Sequence, residues 1–192
     1  LDRLPEEEFE CDPDIHNGDK ALWIQRFLDA AEATADYFIS CSATDGIPYW
    51  DSGAPGLAHM PDWEEKPADP FNDFEPADSS AAAIAAQGLL HLGSFLNARQ
   101  EALRGDRYIQ AGLTIAKTLF AEPYLSTDQS HQGLLLHSVY HRPNGWDFVP
   151  PEKKIPCGES SMWGDYHARE LALTILRMAE GKPAYRFFSS IV

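Results

Sequence analysis

The stretch Pro76-Ala77-Asp78-Ser79-Ser80-Ala81-Ala82-Ala83-Ile84-Ala85-Ala86-Gln87-Gly88-Leu89-Leu90 limits what this chain can fold into more than any other. Asp78 and Ser79 offer side-chain oxygens to the free backbone N–H groups of a helix start. The residues after them are apolar on nearly every side, and a helix of that kind has to be buried all round. Its alanines leave room for neighbouring helices to approach closely. The cap sets a carboxylate and two hydroxyls where the helix leaves the core, an arrangement that lines pockets in many proteins. The plain structural alternative is that Asp78 only caps.

Composition narrows the function classes. The chain has 192 residues, enough for a single domain spanning 1–192 with a real core. Its 15 basic residues against 30 acidic ones give a net charge of −15, which argues against nucleic acid or an anionic membrane as partner. An anionic small substrate remains compatible, because a pocket can be locally basic. No apolar run is read as approaching a bilayer span and no leading segment reads as a signal peptide. The expectation is a soluble protein, cytoplasmic or secreted. Cys11, Cys41 and Cys157 show no CxxC spacing, so neither a zinc site nor a closed disulfide framework is indicated. A start at Leu1 without methionine is expected of a processed product or a fragment.

Along the chain, residues 1–17 are acidic and broken by Pro5 and Pro13, and Asp19 is a cap candidate for the first helix. Ile24, Phe27, Leu28, Ala31, Ala35 and Phe38 then recur at helical spacing, which predicts a one-sided helix over 20–40. Residues 43–77 are rich in Pro, Gly and Asp and carry Trp50, Trp63, Phe71 and Phe74. A loop that long is uncommon unless it carries function, and its aromatic rings suit either stacking on ligands or gluing the loop down. The buried helix is predicted over 79–95. Gly105-Asp106 reads as the turn into a third helix over 106–121, striped by Ile109, Gly112, Leu113, Ala116, Leu119 and Phe120.

Residues 122–161 read as irregular, with a short strand or extended arm within 131–143. His131, His137 and His141 in that arm match no tight metal motif, so hydrogen bonding to a substrate is the preferred role. Ser160-Ser161-Met162-Trp163-Gly164-Asp165 opens a fourth helix over 163–180, stopped by Gly181. Asp165 falls at the positive end of its dipole. Tyr185, Phe187 and Phe188 are expected to pack back on the core. The order amphipathic, buried, amphipathic, buried is a repeat of helical hairpins. Two concentric helix layers satisfy it, amphipathic outside and apolar inside, as in an all-α (α/α) barrel or toroid; a right-handed solenoid of helix pairs is the open alternative.

Four blocks carry a resemblance: Asp45-Gly46-Ile47-Pro48-Tyr49-Trp50-Asp51, Asp78 to Ala85, Gly133 to His141, and Trp163-Gly164-Asp165-Tyr166. Together, and in this order, they resemble the unsaturated glucuronyl hydrolases, glycoside hydrolase family 88. The resemblance covers roughly Asp19 to Ala179 and matches the C-terminal half of that family's (α/α)6 barrel. It implies removal of an unsaturated uronic acid from the non-reducing end of lyase-generated oligosaccharides. An aspartic acid protonates C4 of the C4=C5 enol ether, water adds at C5, and the hemiketal opens, with no metal or organic cofactor. The blocks bearing the family's two key aspartates have no counterpart here, so the catalytic acid is expected upstream and the chain alone is expected to be inactive.

The substrate-side candidates are Trp50, Asp78, Tyr140, His141, Trp163 and Asp165. Tyr140 and His141 would hydrogen-bond sugar hydroxyls or a carboxylate, Trp50 and Trp163 would stack or form walls, and the two aspartates would fix the helix mouths. The expected partners are an unsaturated uronic-acid oligosaccharide and a cover for the inner helices, either the missing N-terminal half of the barrel or a second copy. Two other classes compete. A related (α/α) barrel sugar enzyme, a rhamnogalacturonyl hydrolase or a sugar epimerase, would share the helix design without the Tyr-Trp-Asp and Trp-Gly-Asp-Tyr blocks. A non-catalytic helical interaction module would need only the hairpin repeat.

Overall fold

A computed structural model describes residues 20–183. Cys11 and Asp19, like Tyr185, Phe187 and Phe188, lie outside the described residues. Four helices carry the fold: α1 (Lys20–Ser40), α2 (Ser79–Ala98), α3 (Ala102–Leu119) and α4 (Met162–Ala179). Short 3₁₀ turns at Pro55–His59, Trp63–Glu65 and Arg142–Asn144 punctuate the two long loops, and no strand forms among the described residues. The extended arm expected within 131–143 reduces to one isolated antiparallel bridge, Leu125 to Leu135.

α2 is the centre. Ala82, Ala83, Ala86 and Leu90 are completely buried, and α3 and α4 both pack against this helix. It turns into α3 through residues 99–101, with Gln100 in the left-handed region at φ 67°. The third helix begins earlier than the sequence suggests, because Gly105 is a contact residue inside it rather than a turn. A Cβ on Gly105 would stand 1.9 Å from Asn97 Oδ1 and 2.7 Å from the Gly93 carbonyl oxygen. Backbone touches backbone there, and that closeness is why glycine sits at both positions.

Two expectations about burial need correction. α4 is not enclosed: Ala168 and Leu171 are buried, but Leu173 is 41% exposed and Leu176 54%. Apolar content alone cannot tell which neighbour covers a face, and no described element covers this one. α1 likewise buries only Leu28, leaving Phe27 56% exposed beside an apolar groove of about 480 Å³ that runs between α1 and α2. Polar links join α1 to α3, where Tyr108 Oη donates to Asp36 Oδ1 at 2.9 Å and Arg104 pairs with Glu32, and to the long loop, where Tyr37 Oη and Ser52 Oγ are 2.9 Å apart. α2 also corrects the reading of bilayer-length runs: at 20 residues it is long and apolar enough to span a membrane by those measures. Its packing against α3 and α4 is that of a core helix.

The loops bring the helix starts together. Asp45 Oδ1 accepts from the Ile47 and Ala68 N–H groups at 3.3 and 3.2 Å, closing the 43–68 turn on itself, while burial raises the pKa of this carboxyl. Trp50 N donates to Pro76 O at 3.0 Å and Asp78 N to Pro48 O at 2.9 Å, which lays the aromatic loop beside the start of α2. From the other side Ser79 N donates to His137 O at 3.0 Å.

Candidate functional site

Asp78 is the N-cap of α2, and one of its oxygens does most of the holding. Oδ1 accepts from Ser80 N at 2.9 Å, Ser80 Oγ at 2.6 Å, Ala81 N at 3.2 Å and Val139 N at 3.4 Å. Burial raises the pKa of this carboxyl, and those hydrogen bonds offset the rise only in part. Ser80 Oγ in turn accepts from the Trp163 indole Nε1 at 3.1 Å, so the first turns of α2 and α4 are tied by one relay. Ser161 caps α4 by accepting from Gly164 N at 3.1 Å.

The Trp163 ring stacks on Tyr140, centroids 5.4 Å apart and planes 29° from parallel. Tyr140 meets a second indole, Trp146, at 5.8 Å and 32°. Beside these two indoles Tyr140 is still 56% exposed. His141 lies 4.9 Å from Trp146, and its Nδ1 accepts from Asn144 N at 3.3 Å, which leaves Nε2 as the proton-bearing nitrogen. Tyr140, Trp146 and Trp163 border a cleft of about 330 Å³ whose walls also include Ser138, Phe148 and Ser161. A ligand entering it would meet aromatic rings, hydroxyls and the acidic residues Asp147 and Glu159.

Of the six residues singled out from sequence, Tyr140 and Trp163 line this cleft, while Asp78 is joined to it through Ser80 and His141 through Trp146. Asp165 sits beside it in a different role, since its carboxylate accepts from Leu134 N at 3.0 and 2.9 Å and from Leu135 N at 2.8 Å, pinning the arm to α4. Trp50 is not among the cleft residues. Its indole Nε1 donates to Glu75 Oε2 at 2.7 Å while Gly56 N donates to the other oxygen, so the ring braces its own loop. Sequence reasoning passed over Trp146 and Asp147. The signal was present in Asn144-Gly145 turning directly into Trp146-Asp147, with Gly145 at φ 64°. His137 is no surface ligand: it is buried between the ring edges of Phe71 and Tyr124, with Nδ1 accepting from Gly158 N at 3.1 Å. No group of three or more His, Cys, Asp or Glu side chains among the described residues is placed to hold a metal ion.

A central apolar helix flanked by partners, with helix starts and aromatic loops gathered at one end, defines an all-α segment of (α/α) barrel architecture. Within that architecture the chain resembles the unsaturated glucuronyl hydrolases. It is 28% identical to the unsaturated glucuronyl hydrolase of Bacillus sp. (strain GL1) over 159 residues, 82% of this chain and 34% of that one. It is 26% identical to the unsaturated glucuronyl hydrolase of Formosa agariphila over 147 residues, 76% of this chain and 29% of the relative. The crystal structure of the Bacillus sp. GL1 enzyme, described as responsible for the degradation of glycosaminoglycan, superposes with a TM-score of 0.58 at 27% identity, covering 85% of this chain and 34% of that one. A structure of a UGL variant with dGlcA-Glc-Rha-Glc gives a TM-score of 0.57, again at 27% identity and the same coverage. No family model matches. The chain thus spans about a third of the length of the curated relatives it matches.

Proposed function

We propose that this chain is part of a glycosidase that removes an unsaturated uronic acid from the non-reducing end of lyase-generated oligosaccharides. The observation that carries the reading is the joint agreement of sequence and fold with unsaturated glucuronyl hydrolases over most of the chain. In the reaction, an aspartic acid delivers a proton to C4 of the enol ether, and water adds its hydroxyl at C5 as it gives its other proton to the resulting carboxylate. The resulting hemiketal opens and releases the remaining sugar.

The two aspartates at the helix starts are poorly suited to that proton transfer. Asp78 Oδ1 already takes four donors and the Asp165 carboxylate takes two backbone N–H groups, so both serve the frame. The acid belongs to residues outside this chain, and this chain supplies one wall of the pocket. Tyr140 through its hydroxyl and His141 through Nε2 hydrogen-bond the uronic acid, with Trp163 behind them. In the whole protein, Tyr140→Phe and His141→Ala should each lower kcat/KM on an unsaturated glucuronyl disaccharide by about tenfold, the worth of one hydrogen bond. Loss of the enol-ether ultraviolet absorbance reports the rate. Melting temperature should hardly move, and variants that melt early yet keep turnover would mark both residues as structural.

The exposed apolar side chains of α1, α2 and α4, Phe27, Ile84, Leu173 and Leu176 among them, are covered by further helices of the barrel or by a second copy. Sedimentation of the 192-residue chain by itself should accordingly show self-association at micromolar concentration. A monodisperse, stable monomer would count against any such cover.

A further inference from the structure

Two aromatic rings of the cleft, Trp146 and Phe148, come from the loop rather than from the capped helix starts. The loop that carries them is held in shape from several directions. Asp147, lying between the two rings in sequence, accepts from Tyr140 N and from His141 N, the latter at 3.0 Å. Farther along, Lys153 Nζ donates to Phe71 O at 3.1 Å and Lys154 pairs with Asp73 at 3.5 Å, fastening the loop to the other long loop. Despite this anchoring Trp146 is 60% exposed and Phe148 56%. Apolar rings fixed in place yet left open to solvent at the edge of a cleft form a prepared contact surface.

Depth orders the cleft. Its inner end holds the buried Ser138 and the Trp163 ring joined to Ser80, and its rim holds Trp146 and Phe148. An enzyme that takes the terminal residue of an oligosaccharide puts that residue at the inner end, so the sugar linked to it lies at the rim. Resting on the function proposed above, we propose that Trp146 and Phe148 bind this second sugar ring and set the preference for what carries the uronic acid. Asp147 is the positioning residue that keeps Trp146 against Tyr140.

The test uses the whole protein and two probes: an unsaturated glucuronyl-glucose disaccharide and the methyl glycoside of the same uronic acid. Binding is measured by calorimetry and turnover by ultraviolet absorbance. In the Trp146→Ala/Phe148→Ala double variant, affinity for the disaccharide should fall about tenfold more than affinity for the methyl glycoside, as expected when a stacking surface for one ring is lost. Trp146→Phe keeps a ring at the rim and should restore most of the difference, which separates loss of contact from loss of fold. Equal loss on both probes, or none on the disaccharide, overturns the proposal. If the parent protein shows the binding preference and the double variant loses it while neither probe is turned over, the hydrolase reading fails and the rim assignment stands. A parent that binds neither probe overturns both.

Discussion

Between pH 7 and pH 4 the chain is expected to lose about 3 kcal/mol of stability through the ring of His137. Burial between Phe71 and Tyr124 pushes this imidazole down from 6.5 to about 4, with the neighbouring Asp69 only partly opposing the shift. In that window the unfolded chain takes up a proton that the folded chain refuses, so stability rises with pH across it and levels off above the unfolded value. Asp45 and Asp78, whose carboxyls burial raises, slope the other way as pH climbs from 3.8. The difference between parent and a His137→Asn variant isolates the histidine. Asparagine does not titrate and tolerates the left-handed backbone at this position, φ 63°. Urea unfolding at half-unit steps of pH should give parallel curves above pH 7 that diverge below it. Curves that stay parallel down to pH 4 would show that His137 is protonated in the folded chain.

Replacing Asp165 with alanine is expected to cost about 3–4 kcal/mol, because it strands two backbone donors at Leu134 and Leu135, the latter completely buried. Asp165→Asn keeps one acceptor oxygen and should cost about half as much. Equilibrium unfolding in urea at pH 7 measures both. A loss under about 1 kcal/mol for the alanine variant would mean that water serves those N–H groups equally well. Since the same arm continues into Ser138 and Tyr140, the damage should reach the cleft as well, and under the proposed function it should raise KM for the disaccharide.

Much of the helical frame was legible in the sequence because local rules govern it. The cap at Asp78, the polar run that opens the fourth helix and the 3.6-residue stripes place α1, α2 and α4 to within a few residues. Gly105 misled because the same residue type serves turns and close helix crossings, and only the position of Gly93, twelve residues earlier, distinguishes the two. The exposed flank of α4 was illegible for a different reason: periodicity reports that Leu173 and Leu176 want cover, not whether this chain provides it. Within the candidate site, Tyr140 and Trp163 line one cleft, whereas Trp50 is hydrogen-bonded within its own loop. Its fate depends on Glu75, 25 residues away and unmarked by any local pattern. Trp146 carries a turn signal in Asn144-Gly145, but a turn does not by itself tell whether the ring after it lines a cleft.

The tie from Trp163 to Ser80 spans 83 residues, while α2 and α3 meet across a turn at residues 99–101. Closing the longer loop costs about 3 kcal/mol more chain entropy than closing the shorter one. One helical pair is therefore a local product of its own stretch of sequence, and the cleft is not. Anyone transplanting this cleft into another scaffold would have to carry everything from Asp45 to Leu171. A graft ending before Met162 would bring the helical pair intact and leave behind the floor on which Tyr140 rests.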